Sequence, residues 1–282
     1  MIVECIKFAF FSKLWYFYVR GNMKTKRLVI ILSVLIFLTL IIVLMSAVFT
    51  VRSIDVKWYT EPNVLTIANN EGIVDSSNIK MKSSVFTVNK KECTSRIEKA
   101  YSYIKVERVE IAFPNKVLIH VSEREPYFYL NMGDDYAILD QEMKVLELTT
   151  NLTEYSNKFG ITPVELNIDS TMYANITVDR GDFLDIACTD SVVGMTSFLK
   201  TISYTPIRAK NTLKTIRISN NDMYIYTDLG LNIYINDMNT KYNDKLLKGF
   251  SAYEQYKDNL FSGTVLCYTD NTYIVPEHID TF

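Results

Sequence analysis

The sequence predicts an α+β protein held by a single N-terminal transmembrane helix. Beyond the helix it predicts a mixed sheet with two helices, then a mostly antiparallel β domain with two more. Three observations carry that reading. Residues 28–51 form a 24-residue run without a charged side chain. A helical pattern over Lys90–Ile104 leads into two alternating segments separated by Pro114-Asn115. From residue 126 onward, short alternating runs are interleaved with two amphipathic stretches.

As a helix, residues 28–51 would extend ~36 Å, enough to cross a hydrocarbon core of ~30 Å with some tilt. A cleaved signal peptide is the competing reading. It would have an apolar core of ~7–15 residues and a small-x-small exit, whereas the nearest exit here is Met45-Ser46-Ala47. Residues 1–27 carry Lys7, Lys13, Arg20, Lys24, Lys26 and Arg27 against Glu4, so the positive-inside rule places the N-terminus in the cytoplasm. No later stretch is apolar for long enough to cross again. The first 22 residues are apolar but interrupted by Lys7 and Lys13. They fit either a segment lying in the membrane interface or sequence upstream of a start at Met23.

The net charge of −2 over 282 residues resolves into +5 on residues 1–27, zero on 28–51 and −7 on 52–282. An acidic external portion excludes nucleic-acid binding, which needs a basic surplus. The 48% hydrophobic content excludes a disordered chain.

Residues 52–125 read as one module. Val51, Ile54 and Val56 suggest a short strand leaving the membrane, and residues 62–88 are ambiguous around Asn69-Asn70-Glu71-Gly72. Cys93, Ile97, Ala100, Tyr101 and Ile104 recur at helical spacing. Val109, Ile111 and Phe113 then alternate on one strand, and Val117, Ile119 and Val121 on the next. Pro-Asn between them marks a hairpin.

Residues 126–282 read as the second module. A helix is expected over Ser191–Ile202, with Val192, Met195, Phe198 and Leu199 on one face. Strands follow at Thr215–Ser219, Met223–Thr227 and Leu231–Asn236, with Asp228-Leu229-Gly230 as a turn. A helix over Asn243–Tyr256 carries Leu246, Leu247, Phe250 and Tyr253. The last hairpin joins Gly263–Tyr268 to Thr272–Val275.

Catalytic constellations are missing from the sequence. It has two His, no C-x-x-C among its four Cys, and no G-x-S-x-G, H-E-x-x-H or P-loop pattern. No cofactor or metal is expected. His120 is expected at a surface or facing another subunit, Glu123 and Glu125 as solvated charges and local ion pairs beside Arg124, and the Cys as small buried hydrophobes. Core packing accounts for most aromatics, including Tyr127-Phe128-Tyr129 and Tyr224-Ile225-Tyr226. The Asn-Leu-Thr at 151 and Asn-Ile-Thr at 175 are discounted as chance glycosylation triplets.

Several of these segments, taken in order, resemble the FtsQ/DivIB family of bacterial cell division proteins. They are Val48–Val56 directly after the anchor, Ser84-Val85-Phe86, Tyr103-Ile104-Lys105-Val106, Phe113-Pro114-Asn115, and Glu123-Arg124-Glu125-Pro126. Tyr136-Ala137-Ile138-Leu139-Asp140 with Val145-Leu146 looks like the opening of that family's β domain. The resemblance covers nearly all of residues 24–282 and is sharp over 48–146. The chain departs from the pattern in a longer segment between Val56 and Phe86. Lys82-Ser83 stands where a glycine is usual, and so does Met143.

The resemblance implies a cytoplasmic tail at 1–27, a transmembrane helix at 28–51, an FtsQ-type POTRA domain at 52–125 and an extracytoplasmic β domain at 126–282. It implies a non-enzymatic, single-pass divisome scaffold at the septum, linking early and late division proteins. The implied partners are FtsB/DivIC-like and FtsL-like coiled-coil proteins and septal wall synthases. The family's partner-binding edge is formed by its terminal strands. Here that implies Val265, Leu266, Tyr268, Tyr273 and Ile274, with Tyr268 matching a D-L-R-Y pattern whose Asp and Arg are replaced. The hairpin edge Val106–Phe113 is a second candidate. Two other readings stand beside it: a POTRA module of protein export or envelope assembly, and an anchored extracellular hydrolase.

Overall fold

The computed structural model describes residues 23–59, 69–168, 178–186, 189–201, 213–258 and 262–276. Helix α1, Met23–Val48, is 26 residues long, and its described apolar side chains, Leu28 and Ile31 among them, are exposed. Its side chains are described without a break only over residues 30–43. Among the described residues, no helix is long and apolar enough to cross a membrane.

The described residues gather into two compact units. One takes in the described residues within Met1–Asp55, Ile79–Lys90 and Val109–Ile119; the other takes in those within Val56–Asn78, Lys91–Arg108 and His120–Phe282. In the first, the chain leaves α1 without a linker. Phe49 N–H still donates to Met45 C=O at 2.9 Å, and Val51 N–H then donates to Ser83 C=O at 2.8 Å. Buried Val51, Val85, Val109, Val117 and Ile119 give this unit its apolar interior. The smaller of the two sheets, whose strands take residues from both ranges, is formed among the described residues by β1 (Ser53–Trp58), β2 (Ile104–Ala112) and β3 (Lys116–Glu123) in the order β1-β3-β2. The expected hairpin is present, its turn formed by Phe113-Pro114-Asn115.

In the second unit, the ambiguous stretch contains a short helix, α2 (Asn70–Ser76), started by Asn69, whose side chain accepts from Gly72 N–H at 2.7 Å. This cap supplies one of the bonds a helix start lacks. Helix α3 (Lys90–Ala100) buries Cys93 and Ile97. It ends earlier than the spacing to Ile104 predicts, because the fully buried Ile104 already opens β2.

Among the described residues the larger sheet has nine strands. They are β4 (Phe128–Asn131), β5 (Tyr136–Leu139), β6 (Val145–Thr149), β7 (Val164–Ile168), β8 (Leu213–Ser219), β9 (Asp222–Thr227), β10 (Leu231–Ile235), β11 (Gly263–Cys267) and β12 (Thr272–Pro276). Their order is β12-β11-β10-β9-β8-β7-β4-β5-β6. Antiparallel pairs dominate, as expected, but β4–β7, β7–β8 and β10–β11 are parallel.

Three helices rather than two accompany this sheet among the described residues. They are α4 (Leu152–Phe159), α5 (Thr189–Thr201) and α6 (Tyr242–Tyr256). Its eight residues leave α4 little apolar periodicity to read. Its ends are marked instead, by Asn151 accepting from Glu154 N–H and by Gly160 at φ +65°. Asn151, the first discounted triplet residue, thus serves as a helix cap; Asn175 lies outside the described residues. In α5, Val192 and Met195 are buried as expected, while the side chains of Phe198 and Leu199 lie outside the described set. In α6, Leu246, Phe250 and Tyr253 are buried, but Leu247 is exposed. One residue on from Leu246 is a ~100° turn around the helix, and the adjacent inward position goes to Lys245. The Lys245 ammonium donates to the Asn236 and Asp237 carbonyls.

Strands β7, β9 and β10 keep a strict two-residue alternation between buried and more open positions. Leu166, Ile216, Ile218, Met223, Ile225, Ile233, Ile235, Val265 and Cys267 belong to the buried core, with α6 packed along β10, β11 and β12. Gly249 lets that helix approach closely: a Cβ there would stand 2.8 Å from Cys267 Sγ.

Candidate partner-binding edge

Strand β12 ends the nine-stranded sheet, so one of its sides has no neighbour within the described sheet. It pairs antiparallel with β11, with Val265 opposite Ile274, Leu266 opposite Tyr273 and Cys267 opposite Thr272. The hairpin is closed by Tyr268 N–H donating to Asn271 C=O at 3.0 Å. In an antiparallel ladder, inward- and outward-directed backbone pairs alternate. Counting from that closing bond, Tyr273 and Val275 turn their backbone groups toward β11, whereas Thr272 and Ile274 direct theirs to the open side. Pro276, at the strand's end, has no N–H to offer and caps the exposed donors.

The five residues expected at this edge divide by position. Tyr273 is 52% exposed and Tyr268 38% exposed. Leu266 and Ile274 are half-buried, and Ile274 packs against the core. Val265 is fully buried in a strand paired on both sides. It shapes the edge without being reachable from it.

A row of tyrosines extends from this edge across the solvent-facing side of the sheet. Arg217 is paired with Tyr224, Tyr224 with Tyr234, Tyr234 with Leu266 and Leu266 with Tyr273. Ring centroids lie 4.8 Å apart for Tyr224–Tyr234, 6.1 Å for Tyr234–Tyr268 and 6.2 Å for Tyr268–Tyr273. These separations suit tilted and edge-to-face aromatic contact. The Tyr234 hydroxyl donates to Asp222 Oδ2 at 2.7 Å. Burial and that acceptor raise its pKa above the ordinary tyrosine range, so it remains a neutral donor. The expectation that Tyr224 and Tyr226 pack in a core is corrected here. Ile225 between them takes the buried side, and the period of two places both tyrosines half-buried on the other. Tyr224 and Tyr234 could be placed on the outer face from alternation alone. Their alignment with Leu266 depends on the parallel β10–β11 pairing, which local pattern does not reveal.

The second expected edge is also at a sheet margin: β2 is terminal in the order β1-β3-β2. His120 is not at a surface. It is 9% exposed, on the central strand of that sheet, and its ring lies 5.7 Å from that of Tyr59.

The charges around Arg124 are also rearranged from expectation. Glu125 is exposed and Glu123 half-buried, but Arg124 is only 5% exposed. Its guanidinium donates to Asp140 and Glu142 and, at 3.4 Å, to Glu98. Lys144, 1% exposed, reaches Glu98 at 3.2 Å, and Lys105 pairs with Glu142. Three cations thus meet three carboxylates. The ordinary chemistry of such a set is structural pairing, and among the described residues no cluster of His, Cys, Asp and Glu is arranged to hold a metal.

Comparison with known proteins agrees with the resemblance read from the sequence. Residues 65–124 match the family model of the POTRA domain, FtsQ-type. The cell division protein DivIB of Clostridium botulinum strain Hall is 33% identical over 133 residues, 46% of this chain and 49% of that one. DivIB of C. botulinum strain Loch Maree is 32% identical over the same shares, and DivIB of Clostridium acetobutylicum 30% identical over 31% of this chain and 34% of its own. The chain spans about half the length, or less, of the curated relatives it matches. This chain is therefore similar to DivIB proteins and carries an FtsQ-type POTRA segment.

Proposed function

We propose that this protein is a single-pass component of the bacterial division machinery that works by binding other membrane proteins rather than by catalysis. In this reading residues 1–27 are cytoplasmic and residues 28–51 cross the membrane. A POTRA domain over 52–125 and a β domain over 126–282 stand outside, at the septum. The membrane assignment is drawn from the 24 uncharged residues of the sequence and the cationic segment before them. Similarity to DivIB supports the division role.

The observation that carries the binding role is the open side of β12. An incompletely paired strand presents backbone donors and acceptors that an extended partner segment can complete as one more strand. Beside it, Tyr268 and Tyr273 supply large, rigid contact surface of the type that anchors interfaces. The expected occupants are the membrane-proximal coiled-coil partners of FtsB/DivIC-like and FtsL-like type, with septal wall synthases recruited alongside. A fluorescent fusion at the cytoplasmic N-terminus, expressed in dividing cells, tests the role. Recruitment to midcell before constriction is expected. Even distribution around the envelope through a full division cycle would overturn it.

A further inference from the structure

Three phenylalanines meet at the exit of α1. Phe49 is the first residue after the helix, Phe86 lies in the 3-10 turn Val85–Thr87, and Phe113 opens the hairpin turn. Their ring centroids are 5.4 Å apart for Phe49–Phe86, 6.1 Å for Phe49–Phe113 and 6.0 Å for Phe86–Phe113. All three residues belong to the same compact unit as α1. Yet the cluster is not a core, because Phe86 and Phe113 are each 63% exposed. An exposed contiguous aromatic patch marks an interaction surface.

Two further observations bear on what covers it. The patch is fastened to the helix by backbone hydrogen bonds and not by a flexible tether. Phe49 C=O accepts from Val85 N–H at 2.9 Å, and Val51 C=O accepts from Lys82 N–H at 2.8 Å. Phe49 stands one residue beyond α1, and the Phe86 and Phe113 rings pack beside it. The charge around them is also one-sided. In this unit outside α1, the described residues include Arg52, Lys80, Lys82, Lys90 and Lys116 against only Asp55 and Glu110, and Lys116 is paired with Asp55. Lys80 and Lys82 are exposed on the segment leading to Phe86.

We propose that Phe49, Phe86 and Phe113, flanked by Lys80 and Lys82, dock into the outer leaflet of the membrane that α1 crosses, with a preference for anionic lipid headgroups. The phenyl rings enter the headgroup–acyl boundary, where apolar side chains are stabilised, and the lysines meet lipid phosphates. The effect is to fix this unit's orientation on the bilayer instead of leaving it to pivot on the helix. The proposal rests on the reading of α1 as a membrane helix.

The test uses the full chain reconstituted in phosphatidylglycerol-containing vesicles, with Phe86→Trp and Phe113→Trp made separately. The parent chain, which holds Trp15 and Trp58, provides the baseline. In vesicles carrying lipid brominated at the 6,7 positions, the added tryptophan signal is expected to fall about twofold and to be blue-shifted. Lys80→Glu with Lys82→Glu in the Phe86→Trp background should restore much of it. No quenching above the parent, in a chain that stays with the vesicles on alkaline extraction, would overturn the docking while leaving the anchor intact. Release of the chain by alkaline extraction would instead overturn the anchor, and the docking with it. A partner protein as the occupant would appear as the first of these results.

Discussion

The guanidinium of Arg124 and the carboxylate of Asp140 form an ion pair with side chains only 4% and 6% exposed. Asp140 holds a second job: its Oδ1 accepts from the backbone N–H groups of Glu142 and Lys144, each at 2.8 Å, fixing the turn between β5 and β6. Arg124 also donates to the Ile104 carbonyl through Nε at 3.4 Å. One cation therefore ties the end of β3 to the start of β2 and to the first hairpin of the large sheet.

Removing one partner of a buried pair leaves the other desolvated and uncompensated. Arg124→Ala is expected to destabilise the protein by about 3–5 kcal/mol. Lys105→Ala breaks a pair whose side chains are 34% and 42% exposed, and should cost less than about 1 kcal/mol. Urea unfolding of both variants checks the contrast.

The same network gives stability an acid limb. Burial pushes the Glu142 carboxyl upward, but hydrogen bonds from Lys105 and Arg124 outweigh it and hold the group below its ordinary value. Between the folded and unfolded pKa values the unfolded chain binds the extra proton, so stability rises with pH there. The contribution should be complete above the ordinary glutamate value of about 4.3 and be lost progressively as pH falls through the folded value. Thermal unfolding across that range should show a shallower acid limb for Glu142→Gln.

Two non-glycine residues sit where the family pattern has glycine, and both adopt the conformation glycine would: Met143 at φ +65° and Lys82 at φ +66°. Relief of that backbone cost is worth ~1–2 kcal/mol. Lys82 is exposed, so Lys82→Gly, after the loss of unfolded-state restriction, is expected to be neutral or to stabilise by up to about 1 kcal/mol. Met143 is fully buried, and losing such a side chain costs ~2–5 kcal/mol. Met143→Gly should therefore destabilise. Opposite signs at the two sites, measured by denaturant midpoints, would confirm the accounting.

Cys93 and Cys267 are buried free thiols. Burial pushes Cys93 up to about 11. It also pushes Cys267 up to about 12, against the smaller opposing pull of Lys248 and Lys245. Neither should react with a thiol reagent at pH 8 in the folded chain, and both should react after denaturation. Peptide mapping of alkylated protein distinguishes them from Cys5 and Cys188.

The edge proposal separates backbone from side chain. Ile274→Pro removes an outward N–H while leaving the β11–β12 ladder bonds in place, and Tyr273→Ala removes an exposed ring. Both are expected to weaken capture of the coiled-coil partner at least tenfold, with thermal unfolding showing that the variants fold. Val265→Pro is unsuited to this purpose, because it would break an interior strand. Capture unchanged in both folded variants would remove β12 as the binding edge.

Local chemistry determined much of this protein on its own. The uncharged run, the cationic segment before it, the Phe113-Pro114-Asn115 hairpin and the period-two strands from Leu213 to Ile235 depend on neighbours within a few residues. So does the terminal hairpin that carries Tyr268 and Tyr273. Only the tertiary structure decided which strands lie side by side. Register places Tyr234 between Tyr224 and Leu266, and sheet order leaves β12 rather than β11 at the margin. The packing of α6 buries Lys245 and exposes Leu247, and the fold gathers Glu98, Arg124, Asp140 and Lys144 from three separate segments. Periodicity tells each strand which face is apolar. It carries no information about a partner some thirty residues away, because that choice is made by the summed packing of the whole sheet.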